Sequence, residues 1–254
     1  MNPAKPHESQ SPEPLSFDKL EKPEVHSELS RRRFLQTGII GGTASLMSAG
    51  SINFLTEQRL EAQTPLTPDE ALKALMDGNE RFITGRMTSF EDDLQELKAK
   101  NVDKQEPFAA VLSCADSRVP VELIFDQSIG HIFVTRVAGN VVTPEIVGSL
   151  EYGVAVLGTK VILVVGHAGC GAVKAAIQGK PVPGQISSLF AHIQAAVDEA
   201  GHDLAAAIKA NAKIQAALLR ETSSVIAPLV KEGKLKVVAG YYDLATGKLT
   251  LLES

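Results

Sequence analysis

Cys114 and Cys170 are the two cysteines of the chain, and each follows an apolar run inside a short polar motif: Cys114-Ala115-Asp116-Ser117-Arg118 and His167-Ala168-Gly169-Cys170. Two thiols, an imidazole and a carboxylate make a donor set that tetrahedral zinc accepts readily. Zinc takes deprotonated sulfur and neutral imidazole nitrogen, and the His-x-x-Cys spacing lets both reach one ion from a turn opening a helix at Gly169 to Gly171. Cys114 completes a three-ligand set. The fourth position falls to Asp116 or to solvent, and the difference is chemical. If Asp116 pairs with Arg118, its carboxylate is held off the metal and stays free to accept a hydrogen bond from hydroxide there. If it binds zinc, the site is shut. The simpler readings of two cysteines, buried apolar side chains or a disulfide, leave the neighbouring histidine, aspartate and arginine without a role.

Strand ends must position these motifs. Residues 108–113, 131–137 and 160–165 are apolar without alternation, as expected of strands covered on both faces. A helical stretch over 144–157 separates the last two. Thr67 reads as the N-cap of a helix with Ala71, Leu72, Leu75, Met76 and Phe82 on one face, and a second helical stretch is expected around residues 90–98. Residues 236–242 and 249–252, joined through Ala245-Thr246-Gly247-Lys248, read as a hairpin at the sheet edge. The alanine-rich segment 185–220 reads as two helices broken near Gly201, serving as scaffold. Strands alternating with helices predict an α/β fold, a mostly parallel β-sheet of four to five strands flanked by helices and joined by right-handed crossovers. Ligands of such sheets sit beyond the carboxyl ends of the strands. Cys114, residues 136–140 and His167 to Cys170 all fall there. His192 and His202 read as surface residues and His131 as structural.

Composition narrows the partners. A chain of 254 residues with 44% hydrophobic and 22% charged residues is ordinary globular material, able to bury a sizeable core. Its formal net charge is -5, with no dense basic cluster beyond Arg31-Arg32-Arg33. No nucleic-acid partner is expected. Residues 1–29 are rich in Pro, Ser, Glu and Lys without apolar periodicity, and are expected to be disordered. Ser30-Arg31-Arg32-Arg33-Phe34-Leu35 and the uncharged stretch 36–56 then resemble a twin-arginine export signal, with Gln36 where a lysine is usual. The expected division is 1–63 as disordered region and export signal, and 64–254 as the folded domain, with cleavage after Ala62 or earlier near Ala49-Gly50. Export in a folded state allows zinc to be loaded in a reducing cytoplasm, so the thiols leave as ligands rather than as a disulfide.

The two metal motifs, in the longer forms Ser113-Cys114-Ala115-Asp116-Ser117-Arg118-Val119-Pro120 and Gly166-His167-Ala168-Gly169-Cys170-Gly171, resemble the zinc-binding signatures of the β-class carbonic anhydrases. Arg136-Val137-Ala138-Gly139-Asn140-Val141-Val142, Gly148-Ser149-Leu150-Glu151-Tyr152 and Gly78-Asn79-Glu80-Arg81-Phe82 are similar to the same family. The resemblance covers essentially all of the chain after Thr67. It implies one Zn²⁺ per subunit on Cys114, His167 and Cys170, with Asp116 and Arg118 as the catalytic dyad and Asp116 a direct ligand only under acidic conditions. It implies that Gln105 donates a hydrogen bond to substrate, and that Phe133 and Tyr152 line a narrow, mainly apolar pocket, one of them reaching a neighbouring subunit's site. The implied reaction is the reversible hydration of CO₂ to bicarbonate and a proton by zinc-bound hydroxide.

Two other functions fit parts of the pattern. One is hydrolysis of carbonyl sulfide or carbon disulfide on the same scaffold. The other is a non-catalytic zinc- or bicarbonate-binding protein, against which Asp116, Arg118 and Gln105 argue. The resemblance also implies a homodimer or an assembly of dimers, with the helical arm 67–84 wrapping its neighbour. The export signal implies the twin-arginine machinery as a partner, and the periplasm, or a thylakoid lumen, as destination.

Overall fold

The apolar runs without alternation are the interior strands of one sheet. A computed structural model describes residues 64–89, 98–99 and 101–253. The expected signal, its cleavage sites and residues 90–97 of the expected second helix lie outside them; Lys98 and Ala99 are helical. Strands β1 (Ala109–Ser113), β2 (Ile132–Arg136), β3 (Val161–His167), β4 (Lys236–Tyr242) and β5 (Leu249–Leu252) lie in the order β2-β1-β3-β4-β5. The pairs β1–β2, β1–β3 and β3–β4 are parallel, and β5 closes one edge as the antiparallel arm of the expected hairpin. The α/β expectation is thereby met with five strands.

Side chains alternate between two cores, which is why neither face reads as polar. Val111, Leu163 and Val165 join Ala71, Leu75, Ile124 and Phe125 on one side. Ala110, Leu112, Ile162 and Val164 join Leu150, Ala212, Ala216 and Leu219 on the other. Helix α1 (Pro68–Ile83) and the short α2 (Val121–Ile124) therefore cover the first face. Helices α3 (Pro144–Ala155), α6 (Leu204–Thr222) and α7 (Ile226–Lys231) cover the second. Helix α4 (Gly171–Gln178) and α5 (Phe190–Ala200) border a third cluster around the two cysteines. The break expected near Gly201 separates α5 from α6, with Gly201 as the left-handed cap. No described helix is long and apolar enough to cross a membrane.

Thr67 caps α1 through a reciprocal box: its hydroxyl accepts from the Glu70 N–H at 3.3 Å while its own N–H donates to the Glu70 carboxylate at 2.8 Å. The arm expected to reach a neighbour buries its apolar face on its own sheet, with Ala71 and Leu75 fully enclosed. Polar ties hold it there. Asn79 donates to the carbonyls of Ile124 and Gly247 and accepts from the Leu249 N–H. Arg81 donates to the buried Asp126, which also accepts from the N–H groups of Thr88 and Ser89. Burial opposes charge on Asp126, yet these donors hold its carboxyl below the usual range.

The topology fixes where a site can form. After β1 the chain crosses to β2 on one side, then returns to place β3 on the other side of β1. The crevice between the carboxyl ends of β1 and β3 is thus the switch point of the sheet, where ligands of such folds bind.

Candidate metal centre

Cys114 follows the last residue of β1, and Ser113 stands in register with Val165 of β3. The strand expected to stop at residue 165 runs on through Gly166 to His167, which pairs with Tyr242 of β4. The extension puts the imidazole at the switch point with no exposure at all. Gly166 permits it, because a Cβ there would stand 3.0 Å from both a methyl carbon and the carbonyl oxygen of Ile208. Cys170 is the N-cap residue of α4, as its place at a helix-opening turn required.

The Sγ atoms of Cys114 and Cys170 and a ring nitrogen of His167 lie within 4.8 Å of one another, with all three residues buried. Both cysteines are free thiols. His167 Nδ1 stands 3.0 Å from the Ala168 carbonyl oxygen, whereas Nε2 is buried without a hydrogen-bond partner. Donation from Nδ1 to that carbonyl leaves an unshared pair on Nε2, the state in which histidine ligates a metal. A buried imidazole nitrogen without a partner is costly unless something absent from the protein atoms completes it. The cluster fits a soft or borderline divalent ion.

Electrostatics divide the two thiols. The Cys170 thiol donates to Cys114, which brings the Cys114 pKa down to about 4 against the opposing effect of burial. His167 and the Gly139 N–H, 3.3 Å from Cys114 Sγ, act in the same direction. Donating to that neighbour, and buried as well, Cys170 is pushed above the ordinary thiol range.

The question left open by sequence, whether Asp116 pairs with Arg118 or turns inward, has a clear geometric answer. Arg118 donates from Nε to Oδ1 at 2.9 Å and from its terminal nitrogen to Oδ2 at 2.8 Å, and its own N–H adds a third bond at 3.0 Å. Asp116 Oδ2 remains 3.8 Å from His167 Nε2. The carboxylate borders the cluster without joining it. Arg118 is the main cause holding the Asp116 pKa well below the usual carboxylate range. Arg136, the last residue of β2, fixes the backbone below by donating to the carbonyls of Cys114 at 2.9 Å and Asp116 at 2.6 Å.

The three expected substrate contacts are elsewhere. Phe133 pairs with Ala110, three positions short of Ser113, so it lies about 10 Å back along the sheet from the strand ends. Its ring packs 6.3 Å from that of Tyr152. Tyr152 and Gln105 line an open cavity of about 550 Å³ with Val102, Ile129 and Leu157. One protomer thus brings together Cys114, Asp116, Arg118, His167 and Cys170, and gathers Gln105, Phe133 and Tyr152 in a separate place. His192 and His202 are on the surface as expected, and His131 is exposed in the turn before β2.

Comparison with known proteins agrees with this geometry. The family described as carbonic anhydrase matches residues 109–249, from the start of β1 into β5. Carbonic anhydrase 2 of Mycobacterium tuberculosis is 35% identical over 192 residues, covering 72% of this chain and 92% of that protein. The chain belongs to the β-carbonic anhydrase family. A β-carbonic anhydrase of Coccomyxa, solved in complex with acetazolamide, aligns with a TM-score of 0.56 at 26% identity, covering 71% of this chain and 86% of the other. One from Aspergillus fumigatus aligns with a TM-score of 0.59 at 25% identity, covering 63% and 81%. This carbonic anhydrase is an enzyme, a lyase, and its reaction is the reversible hydration of CO₂ to bicarbonate.

Proposed function

We propose that Cys114 Sγ, His167 Nε2 and Cys170 Sγ hold one zinc ion and that Asp116 and Arg118 form the catalytic dyad beside it. The observation that carries this reading is the bidentate Asp116–Arg118 pair standing next to a buried Cys-His-Cys cluster whose imidazole nitrogen has no protein partner. When bound, zinc supplies the Lewis acidity that lowers the pKa of water toward neutrality and so provides a nucleophile for CO₂. The chain's own residues do the rest. Arg118 keeps Asp116 ionised, so its Oδ2 acts only as an acceptor and orients the attacking water by taking its hydrogen bond. Arg136 holds the Cys114 to Asp116 backbone at the required angle. The Gly139 N–H shares charge on Cys114, and Ala168 O sets the His167 tautomer. Metal analysis of the purified chain with stopped-flow CO₂ hydration tests the reading. About one zinc per chain with zinc-dependent hydration supports it; full zinc with hydrolysis of carbonyl sulfide and no hydration would replace it.

The substrate contacts are completed by a second copy of the chain. Val102, Ile129, Tyr152 and Val156 are large apolar side chains between 44% and 75% exposed, and the first three line the cavity that holds Gln105. Such a patch beside an edge strand is a surface for association. The homodimer, alone or within a larger assembly, covers it and brings Gln105, Phe133 and Tyr152 toward a partner's metal centre. A charge placed there opposes the contact: Tyr152→Glu is expected to shift the sedimentation coefficient toward that of the monomer and to reduce hydration at least tenfold. A fully active, unchanged dimer would remove this part of the reading.

Residues 1–63 serve as export region and 64–254 as catalytic domain in the same proposal, with Arg31 and Arg32 read by the twin-arginine machinery and the periplasm or thylakoid lumen as destination. Support comes from the signal's residues and from thiols buried together as ligands, a state that folded export preserves. Arg31→Lys with Arg32→Lys is expected to retain active enzyme in the cytoplasm, as assayed by cell fractionation. Undiminished export of that double variant would exclude the route.

A further inference from the structure

The polar core of α6 has no part in the reaction described so far. Asn211 and Gln215 sit one helical turn apart and are completely buried in a helix whose other buried residues are all alanine, isoleucine or leucine. Gln215 donates from Nε2 to Asn211 Oδ1 at 3.1 Å and to the His192 carbonyl at 3.0 Å, and its Oε1 accepts from the Val142 N–H at 2.8 Å. Asn211 Nδ2 donates to the Gly139 carbonyl at 2.8 Å. Both amide nitrogens and both amide oxygens have partners, so the orientation of both amides is fixed.

The network ends on an unusual piece of backbone. Residues Ala138–Asn140 form a single tight turn in which Gly139 has φ of 78° and Asn140 has φ of 46°. A non-glycine residue in the left-handed region is strained and persists only where its surroundings hold it. Gly139 accepts the Asn211 bond on its carbonyl, while its N–H points to Cys114 Sγ at 3.3 Å. The Gln215 bond pins Val142 just beyond the turn. Scaffold packing alone has no need of two buried amides, since leucine and methionine fill similar volumes without hydrogen-bonding demands. What the amides add is direction.

We infer that Asn211 and Gln215 are positioning residues that clamp the 138–142 turn so that the Gly139 N–H stays aimed at the Cys114 sulfur, setting how strongly that sulfur binds the metal. An N–H bond withdraws charge from a thiolate ligand, and partners of ligands commonly alter metal affinity by about 10- to 100-fold. This inference rests on the metal reading above. Gln215 and Asn211 act through Gly139 and touch neither metal nor substrate.

The test uses the full chain loaded with cobalt(II), whose thiolate charge-transfer absorption reports the charge on sulfur. Asn211→Leu and Gln215→Met are expected to move that band to lower energy and to change the rate of zinc removal by a chelator by about 10- to 100-fold. Leu219→Ala, on the same helix and also fully buried, removes packing without touching the turn; it should lower thermal stability and leave the band in place. If Asn211→Leu does not fold, Asn211→Asp keeps the shape while removing the donor to Gly139, and should move the band in the same sense. A band unmoved in the folded amide variants, or moved equally by Leu219→Ala, overturns the inference alone. A parent chain with no thiolate band on cobalt addition overturns the metal reading and this inference with it.

Discussion

Asp116→Asn is expected to lower kcat for CO₂ hydration by about 10²- to 10⁴-fold, the usual range for loss of a group that handles a proton in the transition state, while zinc content stays at the parent level. The substitution keeps size and shape but removes the negative charge that Arg118 grips through both its Nε and its terminal nitrogen. An amide offers one acceptor and one donor in place of two acceptors. Whichever way it turns, its NH₂ faces one arm of the Arg118 fork, and in one of the two orientations it also faces the water. Metal content is spared because the three buried ligand atoms do not include the carboxylate.

The pH dependence separates Asp116 from other groups. Its folded pKa is depressed, with the Arg118 bonds the chief cause. A depressed carboxylate is charged at every pH above its unfolded value of about 3.9 and loses that charge only on falling through the lower folded value. Any fall in rate between pH 8 and 5 must then come from another group, and Asp116→Asn should scale the profile down across that window without shifting its midpoint. Stopped-flow hydration across pH reads both features. A rate within threefold of the parent would remove Asp116 from the mechanism.

The parts of this enzyme that could be read from sequence are those whose cause is local. Residues 108–113 announce a strand because both faces are buried, and Thr67 announces a helix because its box closes within four residues. The Cys114 and His167 motifs were legible because ligand chemistry leaves few substitutes. What was hidden depends on partners distant in the chain. Helix α2 has four residues and α7 has six, too short to show a period. His167 belongs to β3 only because Tyr242 pairs with it from 75 positions away. Asn211 and Gln215 look like ordinary polar spacing in an alanine-rich helix until the 138–142 turn is laid against them. Their one visible sign was two amides four residues apart on a face that also carries Ala207, Ile208 and Ala212. The grouping of Gln105 and Tyr152 in one cavity away from the cysteines is set by tertiary packing, which no local pattern encodes.

Removal of the metal carries the other large effect. A chelator that strips zinc is expected to abolish hydration and lower the thermal midpoint, and added zinc should restore both. The three proposed ligands lie in a space almost closed to solvent, and His167 Nε2 has no protein partner there. An ion that binds the folded chain and not the unfolded one adds its binding free energy to stability, about 2.7 kcal/mol when free zinc is 100 times its dissociation constant. His167→Ala should mimic chelation, since loss of a ligand exceeds the roughly 10- to 100-fold effect of losing a ligand's partner. The thiols make a finer demand. The bond from Cys170 lowers Cys114 to about 4, and donating it raises Cys170 above the ordinary thiol range. Zinc uptake in weak buffer at pH 7 should then release about one proton per site from the ligands, because ligation requires both sulfurs as thiolates. Calorimetry in buffers of different ionisation enthalpy counts it. Two protons would mean that Cys114 is protonated as well, and would contradict the lowering that the bond from Cys170 gives it.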